Sequence, residues 1–179
     1  ERLRAAEIHK RVAGSEYVVS HYGSGPSSEN IFFGIGELVA SRLSSRIEAG
    51  LGVADDEEFW RLTYQLTSAG ADIHSKGVLH RTIQPRTVFL NKNGDVRIAG
   101  FYRAGDVDRP QETTALNLDD KPEYCAPEDE TLSFASDMFS VGVILFEMAT
   151  GKLPDPNLDR DELLATIDDA SKRELVSFA

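Results

Sequence analysis

The densest group of chemistry-bearing side chains lies at residues 80–87, His80-Arg81-Thr82-Ile83-Gln84-Pro85-Arg86-Thr87. It offers imidazole, guanidinium, hydroxyl and amide groups and no carboxylate. A threonine hydroxyl such as that of Thr82, with an alcohol's very high pKa, cannot do a carboxylate's work near neutral pH. His9, His21 and His74 share no metal-ligand spacing, and His74, near the end of a helical pattern, reads as structural. Cys125 is the one cysteine. It excludes an internal disulfide framework and a cysteine-built zinc site, and it reads as a packed small hydrophobe rather than a reactive thiol. Thr113 and Thr114 are candidates for phosphorylation. Asp106, Asp108, Glu112, Asp119 and Asp120 surround them and oppose added negative charge, so the unmodified form is expected.

These residues sit in a chain of 179 residues with 30 acidic and 19 basic side chains, a formal net charge of −11. The charge argues against a nucleic-acid surface and against docking on an anionic membrane. The apolar fraction of 41% is too high for disorder and enough for one core. No apolar run reaches the length of a membrane span, so no membrane insertion is expected. Glu1-Arg2-Leu3-Arg4 is not a signal peptide. With no initial Met, the chain is expected to begin inside a longer protein, and an intracellular setting is the expected one.

The elements that must position the polar run follow from periodicity. The first dozen residues read as a helix, stopped by Ala13-Gly14-Ser15. Tyr17–Tyr22 and Ile31–Ile35 read as strands that could form a hairpin around the turn-forming Gly23–Asn30. Val39–Ala49 reads as a short helix. Phe59, Leu62, Leu66, Ala69 and Ile73 give Asp55–Lys76 a helical period, with Asp55 as N-cap and Gly77 as stop. Val88–Leu90 and Val96–Ala99 are strand-like, joined by the turn Asn91-Lys92-Asn93-Gly94. Gly100–Glu130 lacks sustained periodicity, and six of its acidic residues fall between Gly105 and Glu123. Ser136–Thr150 is apolar nearly all round, as a mostly buried helix is. Asp159–Ala170 reads as a final amphipathic helix.

Four stretches, in order, resemble the protein kinase family. His80–Leu90 resembles the catalytic loop H-R-D-L-K-P-x-N-I-x-L. Arg97-Ile98-Ala99-Gly100-Phe101-Tyr102 resembles the following strand and D-F-G. Tyr124-Cys125-Ala126-Pro127-Glu128 matches the A-P-E end of the activation segment. Ser136–Met148 matches the buried helix after it, with its D-x-x-S-x-G signature. The resemblance implies an α+β, protein-kinase-like fold. It has a partial small lobe at residues 1–38, with a regulatory-type helix, two strands and a hinge. A mainly helical large lobe follows at 39–179, and the domain is expected to be truncated at both ends. The glycine-rich loop and the strand bearing the V-A-I-K lysine are not in this sequence.

By the same resemblance, the chemistry positions are degenerate. Thr82 stands where the family has its proton-accepting carboxylate, and Gln84 where it has the transition-state lysine. Thr87 replaces the metal-binding asparagine, and Gly100 replaces the magnesium-binding aspartate. The framework positions keep their types. His80 and Phe101 fall on a spine of stacked side chains, and Arg81 falls where loop phosphates are gripped. Glu128 is the A-P-E glutamate, and Asp137 is the buried carboxylate expected to hold the backbone near His80 and Arg81. Glu37, Leu38 and Val39 fall at the hinge and Phe89 under the adenine, as a vestigial nucleotide pocket. Glu7 is a candidate for the regulatory-helix glutamate. The expectation is a pseudokinase: no catalytic residue, no metal site, no cofactor, and at most weak ATP binding without magnesium. It would act as a protein-binding scaffold or allosteric regulator in a larger assembly, with basic partner surfaces favoured by the charge. The alternative is residual or altered serine/threonine-type phosphotransfer, with Asp95 or Asp106 recruited as carboxylates.

Overall fold

The computed structural model describes residues 2–26, 32–50, 53, 55–108, 122–126, 133–155, 157 and 162. Helix α1 spans Arg2–Val12 and buries Ile8 and Val12. Strands β1 (His21–Pro26) and β2 (Phe32–Gly36) pair antiparallel. The expected hairpin is therefore present, but its first strand is displaced. Tyr17–Val19 pairs with Ile98 rather than with β2: the Ile98 N–H donates to the Tyr17 carbonyl at 2.7 Å and the Val19 N–H to the Ile98 carbonyl at 2.9 Å. The apolar side chains explain the shift. Val18 and Val19 are buried in the core, and that burial draws their segment to Ile98 and leaves the residues after it to pair with β2.

Strand β3 (Ser41–Arg42) pairs with β5 (Val88–Leu90), and β5 pairs with β6 (Val96–Ile98), all antiparallel. This takes the first turn from the short helix expected at Val39–Ala49. Helix α2 starts only at Leu43 and runs to Glu48. The β5–β6 turn is the expected Asn91–Gly94 hairpin, with Gly94 at φ +80°. Helix α3 (Asp56–Ser75) matches its sequence pattern closely. The Asp55 carboxylate accepts the Glu58 N–H at 2.8 Å, and Gly77 takes φ +67° past the helix end. Leu62, Leu66, Ala69 and Ile73 face inward and are at most 1% exposed.

Two-residue strands β4 (Val78–Leu79) and β7 (Gly105–Asp106) pair either side of the polar run. Short 3-10 turns cover Phe101–Arg103 and Pro122–Tyr124. Helix α4 spans Phe134–Thr150 and opens with a capping box between Ser133 and Ser136. It packs along α3, with Val141, Ile144 and Met148 in the common core. The final helix expected at Asp159–Ala170 lies outside the described residues, apart from Glu162, as do Thr113, Thr114 and Glu128.

Candidate functional site: a polar loop locked to its framework

The loop after β4 is fixed by one carboxylate. Asp137, in the first turn of α4 and 2% exposed, accepts the backbone N–H of His80 at 2.8 Å and of Arg81 at 2.7 Å. The His74 Nε2–H, from the end of α3, donates to the same carboxylate at 3.0 Å. A buried charge persists when hydrogen bonds satisfy its lone pairs. Arg81 takes φ +68°, the one positive φ among described non-glycine residues. The Asp137 bond to its N–H supports a conformation that L-residues otherwise avoid.

His80 is fully buried. Its Nε2–H donates to the Ala99 carbonyl at 3.0 Å, which leaves Nδ1 as the acceptor facing the Thr82 N–H at 3.3 Å. The ring sits 4.6 Å from that of Phe101. Phe101 in turn stacks on His9 at 4.9 Å, and His9 lies 5.0 Å from His21. A four-ring column thus runs from the loop to α1 and β1. His80 and Phe101 were legible as stacking positions, whereas His9 and His21 were not. Their only signal was a histidine at an inward position of α1 and another in the following strand.

The column makes the fold sensitive to acid. Burial holds His80 below the usual histidine range, against the opposing pull of Asp137 and the Ala99 carbonyl. Burial lowers His9 as well, and neighbouring His21 adds to it. Both rings are therefore neutral in the folded chain and protonate more readily in the unfolded one. Stability should be full above about pH 6.5 and fall as the pH drops below it, by up to about 1.4 kcal/mol per pH unit for His80 alone. Urea titrations between pH 7.5 and 5 measure this slope, and His9→Phe should flatten it while keeping the ring contact.

The four chemistry positions face inward and are engaged with one another. The Thr82 hydroxyl donates toward the Gly100 carbonyl at 3.3 Å. The Thr87 hydroxyl lies 2.8 Å from the Thr82 carbonyl and 3.0 Å from that of Gln84, and it accepts the Gln84 N–H at 3.1 Å. Gly100 has φ +88°, and a Cβ there would stand 2.7 Å from the Thr87 methyl. Gln84 is 5% exposed, and its Oε1 has no hydrogen-bond partner. It borders a recess of about 30 Å³ lined also by Ser44, Glu48, Arg86, Tyr124 and Glu147. Across that recess the Tyr124 hydroxyl donates to Glu147 at 2.5 Å, and burial, then this bond, pushes the phenol far above its usual range.

The remaining candidates are held elsewhere. The Glu37 carboxylate accepts the Ser20 N–H at 2.9 Å, the Ser20 hydroxyl at 3.0 Å and the Arg97 Nε–H at 3.0 Å. Burial opposes its ionisation, but these bonds keep it below the ordinary carboxylate range. Its N–H donates to the Ser20 carbonyl at 3.1 Å. Leu38 is 96% exposed, and Val39 is half-buried. Phe89 lies under the Arg42 guanidinium, 5.3 Å from the ring centre. Asp95 accepts from Gln65, Arg61 and Asn91, and Asp106 pairs with Arg11 of α1. Glu7 is exposed on α1. Among the described residues, no group of three or more His, Cys, Asp or Glu is arranged to hold a metal. No helix among them is long and apolar enough to cross a membrane.

Residues 2–176 match the family model of the protein kinase domain. The chain belongs to the protein kinase family. It is 30% identical over 148 residues to MAP kinase kinase MKK1/SSP32 of Saccharomyces cerevisiae, a match covering 78% of this chain and 28% of that protein. It is 33% identical over 158 residues to CBL-interacting protein kinase 22 of Oryza sativa subsp. japonica, covering 81% of this chain and 34% of that protein. It is 34% identical over 137 residues to serine/threonine-protein kinase CHK1 of Saccharomyces cerevisiae, covering 70% and 26%. These matches span between 26% and 34% of the relatives' own length. The α+β fold, with antiparallel strands against packed helices, is the one the family implies. In this chain the Asp137 carboxylate holds the backbone at His80 and Arg81, and the His80 ring lies against Phe101.

Proposed function

We propose that this is a kinase-type domain that does not transfer phosphate with its own residues and works by engaging another protein, as a scaffold or allosteric regulator in a larger assembly. One observation carries the reading. The positions that would hold the phosphate chemistry are tied together through the Thr82 and Thr87 hydroxyls and the loop backbone, and a Cβ at residue 100 would stand only 2.7 Å from the Thr87 methyl. Magnesium needs oxygen ligands with free lone pairs, usually carboxylates. Gly100 has no side chain to supply a carboxylate, its carbonyl faces the Thr82 hydroxyl, and the Thr87 hydroxyl is committed to the loop backbone, so these residues do not fit the ion. A base for the substrate hydroxyl is likewise missing at Thr82, whose hydroxyl acts as a donor. Partner binding is supported by the acidic balance of the chain and favours basic surfaces.

A second reading, residual serine/threonine-type phosphotransfer, is favoured by the kinases among the relatives. Its carboxylates would have to come from outside the loop, and Asp95 and Asp106 are each tied to basic or amide groups. Radiolabelled phosphate transfer to a generic basic protein, with calorimetric titration of ATP with and without magnesium, separates the two. The first reading expects no transfer and no magnesium-dependent binding. Transfer that an ATP-competitive nucleotide suppresses would establish the second.

A further inference from the structure

Helix α3 presents two aromatic side chains to solvent on one face. Trp60 and Tyr64, four residues apart, are each 66% exposed. Phe59 packs edge-on against the indole at 5.3 Å, which orients the exposed ring. Tyr17, half-buried, is tied to α3 through Ser15: the Tyr17 N–H donates to the Ser15 hydroxyl at 3.2 Å, and that hydroxyl donates to Asp72. The rings are flanked by carboxylates. Asp56 and Glu57 are exposed in the first turn of α3, Glu16 is exposed beside Tyr17, and Asp72 accepts the Ser15 hydroxyl at 2.6 Å. Arg61, the cation next to Trp60 in sequence, is turned toward Glu58 and Asp95 instead.

Exposed aromatic clusters of this kind mark interaction surfaces. The flanking charge selects the occupant. An apolar partner would take carboxylates out of water without a counter-charge. A second copy of this acidic chain would bring like charges together. A cation gains twice, from the carboxylates and from the negative face of an indole or phenol ring. We propose that the Trp60–Tyr64–Tyr17 face is a docking surface for an arginine- or lysine-rich segment of a partner protein, with its cations over the rings and paired to Glu16, Glu57 and Asp72. This deepens the partner-binding half of the function proposed above and rests on it. It is independent of whether the loop transfers phosphate.

Trp60 is the one tryptophan of the chain, so its fluorescence reports directly on this face. The full chain is titrated at physiological salt with a short arginine–serine peptide, its glutamate–serine counterpart and an apolar leucine–serine peptide. The proposal expects a saturable emission change with the arginine peptide alone. Tyr64→Ala, which leaves the reporter and removes an exposed ring, should weaken binding about two- to fivefold. Circular dichroism checks that this variant is folded, and calorimetry extends the comparison to Trp60→Ala. The pair Asp119→Asn and Asp120→Asn, in the acidic stretch, should bind normally. Absence of a saturable change, or an equal response to the other peptides, overturns the surface. Loss in the Asp119/Asp120 pair with full binding by Tyr64→Ala also overturns it, and moves the basic partner to the acidic stretch. That last result leaves the partner-binding reading standing, while phosphotransfer and ATP titration test the other half separately.

Discussion

Asp137→Ala should lower stability by about 3–5 kcal/mol, the range expected when one partner of a buried charged network is removed. The carboxylate satisfies the backbone N–H groups of His80 and Arg81 and the His74 ring. Its loss leaves donors in a core that excludes water, each at about 1–3 kcal/mol. Arg81 also loses the bond that supports its φ of +68°. The effect should spread along the ring column, because His80 is the member of it that this loop positions. Urea denaturation followed by circular dichroism measures the loss. Asp137→Asn separates charge from geometry: one oxygen still accepts, but the amide nitrogen brings a donor to face another donor. An intermediate loss is therefore expected. A stability within about 0.5 kcal/mol of the parent for Asp137→Ala would mean the loop is held by other contacts.

That network was legible in the sequence because it depends on residue types at fixed spacing. Asp137, His80 and Phe101 each do one job that few other side chains do. Helix α3 was legible for a related reason: its cap, its apolar period and its terminal glycine all agree. The misplacement of β1 has the opposite origin. Val18 and Val19 read equally well as a hairpin strand or as a strand docking on β6. The choice was made by burial against a segment some 80 residues away, which no local pattern contains. The same holds for the first turn lost from α2, taken by pairing with β5.

The site divides along the same line. The expectation that Thr82, Gln84, Thr87 and Gly100 depart from the family's chemistry rests on their residue types alone. That they lock one another could not be read from those types, since the Thr87 methyl meets Gly100 only through the β5–β6 hairpin. The residues expected at the hinge have partners of their own. Glu37 lies where a nucleotide contact was expected, yet its carboxylate ties Ser20 to Arg97 and its N–H is spent on the Ser20 carbonyl. Nothing in residues 35–40 alone signals those partners.

The locking has its sharpest consequence at residue 100. Gly100→Asp, which restores the family's metal-binding side chain, should destabilise the chain by about 2–4 kcal/mol and give no phosphotransfer. Two costs combine. At φ +88° a residue with a Cβ is strained even when it is aspartate, which tolerates the left-handed region better than most. The new Cβ would also stand 2.7 Å from the Thr87 methyl and 3.2 Å from its Cβ, an overpacking of the kind that costs about 1–3 kcal/mol. Thr87→Ser removes that methyl and keeps the hydroxyl bonds to the Thr82 and Gln84 carbonyls. The Gly100→Asp cost should therefore shrink in the Thr87→Ser background, with a coupling of about 0.5–3 kcal/mol in the double-mutant cycle. Equal costs in both backgrounds would show that backbone strain alone sets the penalty. On the proposed reading no phosphotransfer is expected from the double variant either, because residue 82 still lacks a carboxylate. Thr82→Asp meets its own obstacle, since its oxygens would face the Gly100 carbonyl that the Thr82 hydroxyl now donates to. Thr82, Thr87 and Gly100 are thus coupled through direct contacts, and on the proposed reading single carboxylate substitutions at residues 82 and 100 should cost stability before they gain any chemistry.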